Sequence, residues 1–215
     1  MVAQLDPRVT ELLCARLCHD LIGPISAINN GVEFVRDFGD EMKGEAFTLI
    51  AESASKASRL LQLYRVAFGS ARAADGSGIG LDEARQRAID ALASERVTID
   101  WPAGVALEQG SESRSLVKLV LNLVLTSVEI LPGAGTVTVH IECGQPMRMQ
   151  VTAEKEGLSL SEDFGRVLDG EIAVEDLSPR TVQAYLTRSL AESVGARIEV
   201  AADAGHLSLV VELKT

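Results

Sequence analysis

Two stretches near the start of the chain carry apolar residues at the three-and-four spacing of a helix buried along one side. In the first, Leu13, Cys14, Leu17, Leu21, Pro24, Ile25, Ile28, Val32 and Val35 fall in one sector when each residue turns by about 100°. A polar, glycine-containing turn follows over residues 37–43. Beyond it, Phe47, Ile50, Ala54, Ala57, Leu61, Tyr64 and Phe68 recur at alternating steps of three and four. Leu49, Leu60, Leu63 and Ala67 widen that seam to a face. Two amphipathic helices joined by a short turn predict an antiparallel hairpin, which is too thin to bury both of its apolar faces. A second copy completing a dimeric four-helix bundle is the expected cover, and the rest of the chain is the alternative.

The pattern then changes. Residues 69–80, rich in Gly, Ala and Ser, have no apolar periodicity and read as a linker. Gly76, Gly78 and Gly80 superficially suggest a phosphate-cradling loop, but they do not open a helix after a strand, so linker flexibility is the expected role. Helices are predicted over 81–93, 116–130 and 181–194, the last stopped by Gly195. Residues 97–101 read as a strand. Alternating, β-branched runs at 136–143 and 147–153 predict adjacent antiparallel strands after the turn Pro132-Gly133-Ala134-Gly135, and 198–201 with 207–213 predict a closing pair. Helices covering one face of a mixed sheet make an α+β sandwich. The predicted organisation is a helical-hairpin domain over 1–70, a linker over 71–80 and an α/β domain over 81–215.

At 215 residues and 47% hydrophobic content the chain supports a substantial core. No apolar run approaches the ~20 residues of a membrane span, and a basic leader is lacking, so a cytoplasmic protein without a membrane partner is expected. A net charge of −11 without any basic stripe argues against nucleic acid. Three cysteines fit a reducing compartment. Cys14 falls in the apolar stripe and the C-x-x-C-H haem spacing is missing, so Cys14 and Cys18 are expected to be buried structural thiols.

Candidate chemistry concentrates on one histidine. His19 lies opposite the apolar stripe of the first helix, with Leu12, Ala15, Arg16, Gly23, Ser26 and Asn30 as neighbours on its own side. All but Leu12 are small or polar, so the imidazole should stand on a low platform open to a macromolecule. His140 and His206 have no nucleophile or metal-ligand partner in sequence and read as structural or surface residues. No G-x-S-x-G, Walker or dinucleotide motif is present.

His19-Asp20, with Pro24 five residues after the histidine, resembles the phosphoacceptor box of sensor histidine kinases. Leu121-Asn122-Leu123-Val124 resembles their N box, and Gly195-Ala196-Arg197-Ile198-Glu199-Val200 their closing helix-to-strand segment. The resemblance spans nearly the whole chain and implies a dimerisation hairpin followed by an ATPase-like sandwich. The nucleotide positions depart from it. Thr126 stands where a second asparagine would help hold magnesium. Ala153-Glu154-Lys155-Glu156-Gly157 lacks the adenine-binding aspartate and the first glycine, and Leu177-Ser178-Pro179-Arg180 replaces the glycine-rich lid. An intact histidine beside an eroded nucleotide site is similar to the ChpT-type histidine phosphotransferases of alphaproteobacteria, which Ala15-Arg16-Leu17-Cys18-His19-Asp20 matches closely. That resemblance implies transfer from the receiver domain of a hybrid histidine kinase through His19 to response regulators, including cell-cycle regulators, with no cofactor here and magnesium on the partner receiver.

Neutral imidazole, with an ordinary pKa near ~6.5, has a lone pair available at neutral pH and accepts a phosphoryl group without a strong base. Transfer passes through a loose transition state, so positioning and charge neutralisation dominate. Asp20 either orients the ring or is an ordinary exposed helix residue. Arg16, one turn before His19, either steadies phosphoryl oxygens or is simply solvated. Leu12, Ala15, Gly23, Ser26, Ala27 and Asn30 are the expected docking positions. Competing readings are an active kinase or phosphatase, disfavoured by Gly23 where an amide or hydroxyl would place water, and a non-catalytic receiver scaffold.

Overall fold

The computed structural model describes residues 6–38, 42–69, 78–105 and 111–213. Residues 39–41 of the expected turn, and Gly76 with most of the expected linker, lie outside the described residues. The first apolar stripe forms helix α1 (Pro7–Phe38) and the second α2 (Lys43–Ala67). They are antiparallel: Gly31 of α1 meets Ala46 and Ile50 of α2, while Asp20 meets Tyr64. A Cβ at Gly31 would lie 2.6 Å from Ile50 Cγ1 and 3.1 Å from the Ala46 carbonyl, so the absent side chain sets how closely the helices approach.

After α2 come α3 (Leu81–Leu92), β1 (Val97–Asp100), α4 (Ser111–Ile130), β2 (Gly135–Glu142), β3 (Met147–Glu154), α5 (Glu162–Asp169), α6 (Val182–Ser193), β4 (Ile198–Asp203) and β5 (His206–Leu213). The five strands form one sheet in the order β1-β2-β3-β5-β4, with only β1 and β2 parallel. Alternation puts Val137, Val139 and Ile141 of β2 and Met149, Val151 and Ala153 of β3 on the buried face. Thr138, His140, Gln150 and Thr152 take the opposite face. Helix α4 lies across the buried face against β2 and β3, between α3 and α6. It is enclosed on all sides, and every residue from 119 to 127 is buried. The fold is thus a mixed α+β architecture, a helical hairpin joined to an α/β sandwich.

Two elements have no counterpart in the predicted set: α5 and a 3₁₀ turn at Val174–Asp176. Local signals for α5 were present. The Phe164 N–H donates to Ser161 Oγ as an N-cap, Glu162 and Asp163 occupy the first turn, and Gly170 ends the helix at φ 82°. The helix is two turns long and falls below the length at which periodicity is persuasive.

Hairpin and sandwich share one core. Val9 and Leu12 of α1 and Leu60, Leu63, Tyr64, Val66 and Ala67 of α2 belong to the same buried cluster as Val117, Val120 and Leu121 of α4 and Val182 of α6. The other end of the hairpin is uncovered in the single chain. There Ile25, Val32, Phe34, Phe38 and Phe47 are exposed, as is Leu61 further along the outward side of α2.

Candidate functional site

The site is assembled on one turn of α1, backed by α2 and α4. His19 has a side chain 87% exposed, with Nδ1 3.2 Å from Asp20 Oδ1. A carboxylate only accepts, so this contact places the ring proton on Nδ1 and leaves the lone pair on Nε2. Pro24, buried against α2, has no N–H to offer the Asp20 carbonyl four residues back, so the helix ladder is interrupted at this turn.

Asp20 is itself held from behind. Its Oδ2 accepts a 2.6 Å hydrogen bond from the hydroxyl of Tyr64 on α2 and lies 3.9 Å from Arg16 Nε. Tyr64 is buried and its ring stacks on Phe68 at 5.2 Å between centroids. Burial, and then the bond to Asp20, hold the Tyr64 hydroxyl well above its ordinary pKa, so it remains a donor. Arg16 donates through Nη1 to Glu129 Oε1 at the end of α4. Burial pushes Glu129 up to about 7, against the pull of the Arg16 guanidinium.

Around His19, Ala15, Gly23, Ser26 and Asn30 are exposed, and a Cβ at Gly23 would meet nothing within 4 Å. Ala27 is half-buried. Three expectations need correction. Leu12, placed on the docking face by the helical wheel, is 4% exposed, because the start of α1 lies against α6 and the 3₁₀ turn, which cover the side that α2 leaves free. Arg16 is neither solvated nor free for phosphoryl oxygens, since its side chain is 11% exposed and engaged by Glu129. Cys14 and Cys18 are exposed rather than buried, because α2 and the second domain cover other sides of α1 and leave theirs uncovered in the single chain. His140 and His206 are exposed, bonded to Glu142 and to the Ala204 carbonyl respectively.

Asn122, the counterpart of the N-box asparagine, is fully buried. Its Nδ2 donates to the carbonyls of Ala67 at 2.9 Å and Lys118 at 2.7 Å, and its Oδ1 accepts from Gln183 Nε2 at 2.9 Å. This amide therefore stitches α4 to the end of the hairpin. Thr126 Oγ1 lies 2.8 Å from Thr187 Oγ1, Ala153 is core, and Lys155 Nζ donates to the Pro132 carbonyl. Among the described residues no group of three or more His, Cys, Asp or Glu side chains is placed to hold a metal ion, and no helix is long and apolar enough to cross a membrane. Sequence reasoning assigned Tyr64 only to the apolar seam and passed over Glu129. The available signal was a carboxylate ending an otherwise strongly apolar helix.

The site is thus an exposed histidine beside a carboxylate held from behind, on a hairpin joined to an α/β sandwich. The histidine phosphotransferase C-terminal domain model matches residues 81–206, and the chain belongs to the histidine phosphotransferase family. It is 34% identical over 202 residues, 94% of this chain and 93% of the relative, to the protein phosphotransferase ChpT of Brucella abortus (strain 2308). A bacterial phosphotransferase solved at 1.7 Å superposes with a TM-score of 0.79 and 32% identity, covering 97% of this chain and 98% of the other.

Proposed function

We propose that this chain relays phosphoryl groups between receiver-domain aspartates through His19, without using ATP. The observation that carries the reading is the imidazole itself, 87% exposed with Nδ1 turned to Asp20, so that Nε2 is the nucleophile. In the accepting step the Nε2 lone pair forms the N–P bond as the P–O bond of a receiver aspartyl phosphate breaks, and the bonding pair leaves with the receiver carboxylate. The ring keeps its Nδ1 proton and becomes cationic. Asp20 lies where that charge develops, which is where a fixed carboxylate lowers the barrier. Donation to a response regulator reverses these changes. The metal belongs to the partner: the receiver of a hybrid histidine kinase, and then the response regulator, supplies magnesium and the acidic cluster, and this chain presents the histidine in the cytoplasm.

Independence from ATP is supported by the employment of Asn122. Turning it toward a nucleotide would break buried bonds to Ala67, Lys118 and Gln183, and each buried group left unpaired costs about 1–3 kcal/mol.

The functional unit in this reading is a homodimer through the uncovered hairpin face. Ile25, Val32, Phe47 and Leu61 are 49–59% exposed on that side with a groove of about 430 Å³ between the helices, lined by Ile28, Ala54, Ala57 and Leu61. His19 lies more than a quarter turn of α1 away from Ile25 and Val32, so each copy would offer its own docking site around Ala15, Gly23, Ser26 and Asn30.

The test is label transfer. Incubation with a receiver carrying labelled aspartyl phosphate should label the wild-type chain and leave His19→Ala unlabelled, whereas ATP with magnesium should label neither. Label on His19→Ala from the receiver, or on His19 from ATP alone, overturns the proposal.

A further inference from the structure

We infer that Tyr64 and Glu129 are positioning residues for this transfer, acting through Asp20 and Arg16 to hold the His19 ring and to tie it to the second domain. The inference rests on the relay reading and deepens it. Four side chains form a continuous line behind the imidazole: Glu129 accepts from Arg16, Arg16 Nε faces Asp20 Oδ2, Tyr64 donates to the same oxygen, and Asp20 Oδ1 faces His19 Nδ1. They come from α1, α2 and α4, and residues 16 and 129 are 113 positions apart.

The physical argument begins with what Asp20 lacks on its own. A carboxylate beside an exposed histidine on the same helix has a free χ1 and competes with water for its hydrogen bonds. It fixes the ring only if it is fixed itself. Tyr64 is 6% exposed and wedged by Phe68, so its hydroxyl is delivered at one place, and the 2.6 Å bond takes up Asp20 Oδ2 and leaves Oδ1 for the imidazole. Arg16 adds positive charge 3.9 Å behind the carboxylate and would otherwise be free to swing outward. Glu129 prevents that movement. An outer layer that orients the group touching the reacting ring is the arrangement by which proteins fix imidazole tautomers elsewhere. Here it also makes the second domain part of the site, because α4 contributes one end of the line.

In the accepting step the Nδ1 proton stays on the ring while Nε2 forms its bond to phosphorus and the receiver carboxylate departs with the bonding pair. A disordered Asp20 leaves the ring free to take the other tautomer, with the proton on Nε2 and no lone pair toward the donor. Only the reactive fraction falls in that case. Docking of the receiver, which uses the exposed surface, does not change.

The experiment uses the full-length chain, a phosphorylated receiver and ¹⁵N-labelled histidine. Tyr64→Phe removes only the hydroxyl and keeps the ring stack. It is expected to lower the maximal single-turnover rate about tenfold, equivalent to about 1.4 kcal/mol, with an unchanged half-saturating receiver concentration. The ¹⁵N shifts of the unphosphorylated protein should report loss of the predominant Nδ1–H tautomer. Glu129→Leu should act in the same direction, and Glu129→Gln, which keeps an oxygen for Arg16, should restore most of the rate. A wild-type rate and tautomer in folded Tyr64→Phe overturn the inference. So does a defect confined to the half-saturating concentration with the tautomer unchanged. Should wild type accept no label from the receiver, it is the relay reading that fails, and the tautomer measurement still decides whether Tyr64 and Glu129 order the ring.

Discussion

Glu129 is the residue on which burial and pairing oppose each other most directly. Its carboxyl has an ordinary pKa of 4.5 and is pushed up to about 7 in the folded chain, first by burial, with Arg16 pulling down and Asp20 pushing further up. A raised carboxyl means that the folded state binds more protons than the unfolded one between those values. Its contribution to stability is therefore fully present below about pH 4.5 and is lost as the pH rises through about 7. At about 1.4 kcal/mol per pH unit of difference, the loss across the window is on the order of a few kcal/mol. Urea midpoints of wild type should fall from pH 5 to pH 7.5 more steeply than those of Glu129→Gln, and parallel curves would contradict the assignment. His19 belongs to the opposite class of residue. With its side chain almost wholly in solvent and no packing role, His19→Gln should leave the unfolding midpoint within about 0.5 kcal/mol of wild type while removing phosphoryl transfer. Neither expectation follows from chain position. His19 announced itself by standing opposite an apolar stripe, whereas Glu129 acquired its character only from the side chains folded over it.

At the scale of elements, the hairpin is held by close approach rather than by bulk. Gly31 faces Ile50 and the Ala46 carbonyl with no room for a methyl group. Helix propensity alone favours alanine there by about 1 kcal/mol, but an added methyl in a tight contact costs about 1–3 kcal/mol. Gly31→Ala is therefore expected to destabilise by about 1 kcal/mol and to lower Tm by about 2–4 °C, measurable by calorimetry. An unchanged or higher Tm would mean that the helices separate without penalty. The same scale accounts for the uneven quality of the sequence reading. Residues 136–142 and 147–153 alternate for a full strand length, and α6 has a glycine stop at Gly195, so local pattern and fold agree there. Helix α5 offered caps but too few turns for periodicity. Leu12 and Cys14 failed for another reason: a wheel separates the sides of a helix without naming the neighbour on each side.

For the whole molecule, the apolar face left uncovered on the hairpin is the dominant feature. Leu61 is 53% exposed in the single chain, so a charge there leaves the chain's own core intact and strikes only the proposed dimer interface. Sedimentation should give a wild-type mass of two chains at micromolar concentration and a folded single chain for Leu61→Asp. A single-chain mass for wild type would remove the bundle from the account. The molecule divides into what runs along the chain and what crosses it. Periodicity is a local property, so the amino-acid order alone specified the hairpin, the strands and the longer helices of the sandwich though not α5, and the prominence of His19 beside Asp20. It also marked the departures from the kinase pattern at Thr126 and Ala153, because residue identities are visible without a fold. The pairs that complete the site are Asp20 with Tyr64, Asn122 with Ala67 and Arg16 with Glu129, separated by 44, 55 and 113 positions. No repeat or spacing in the chain encodes such pairs. They exist because one hydrophobic core draws α1, α2, α4 and α6 together, and only in that packing does a buried polar group meet the partner that makes its burial tolerable.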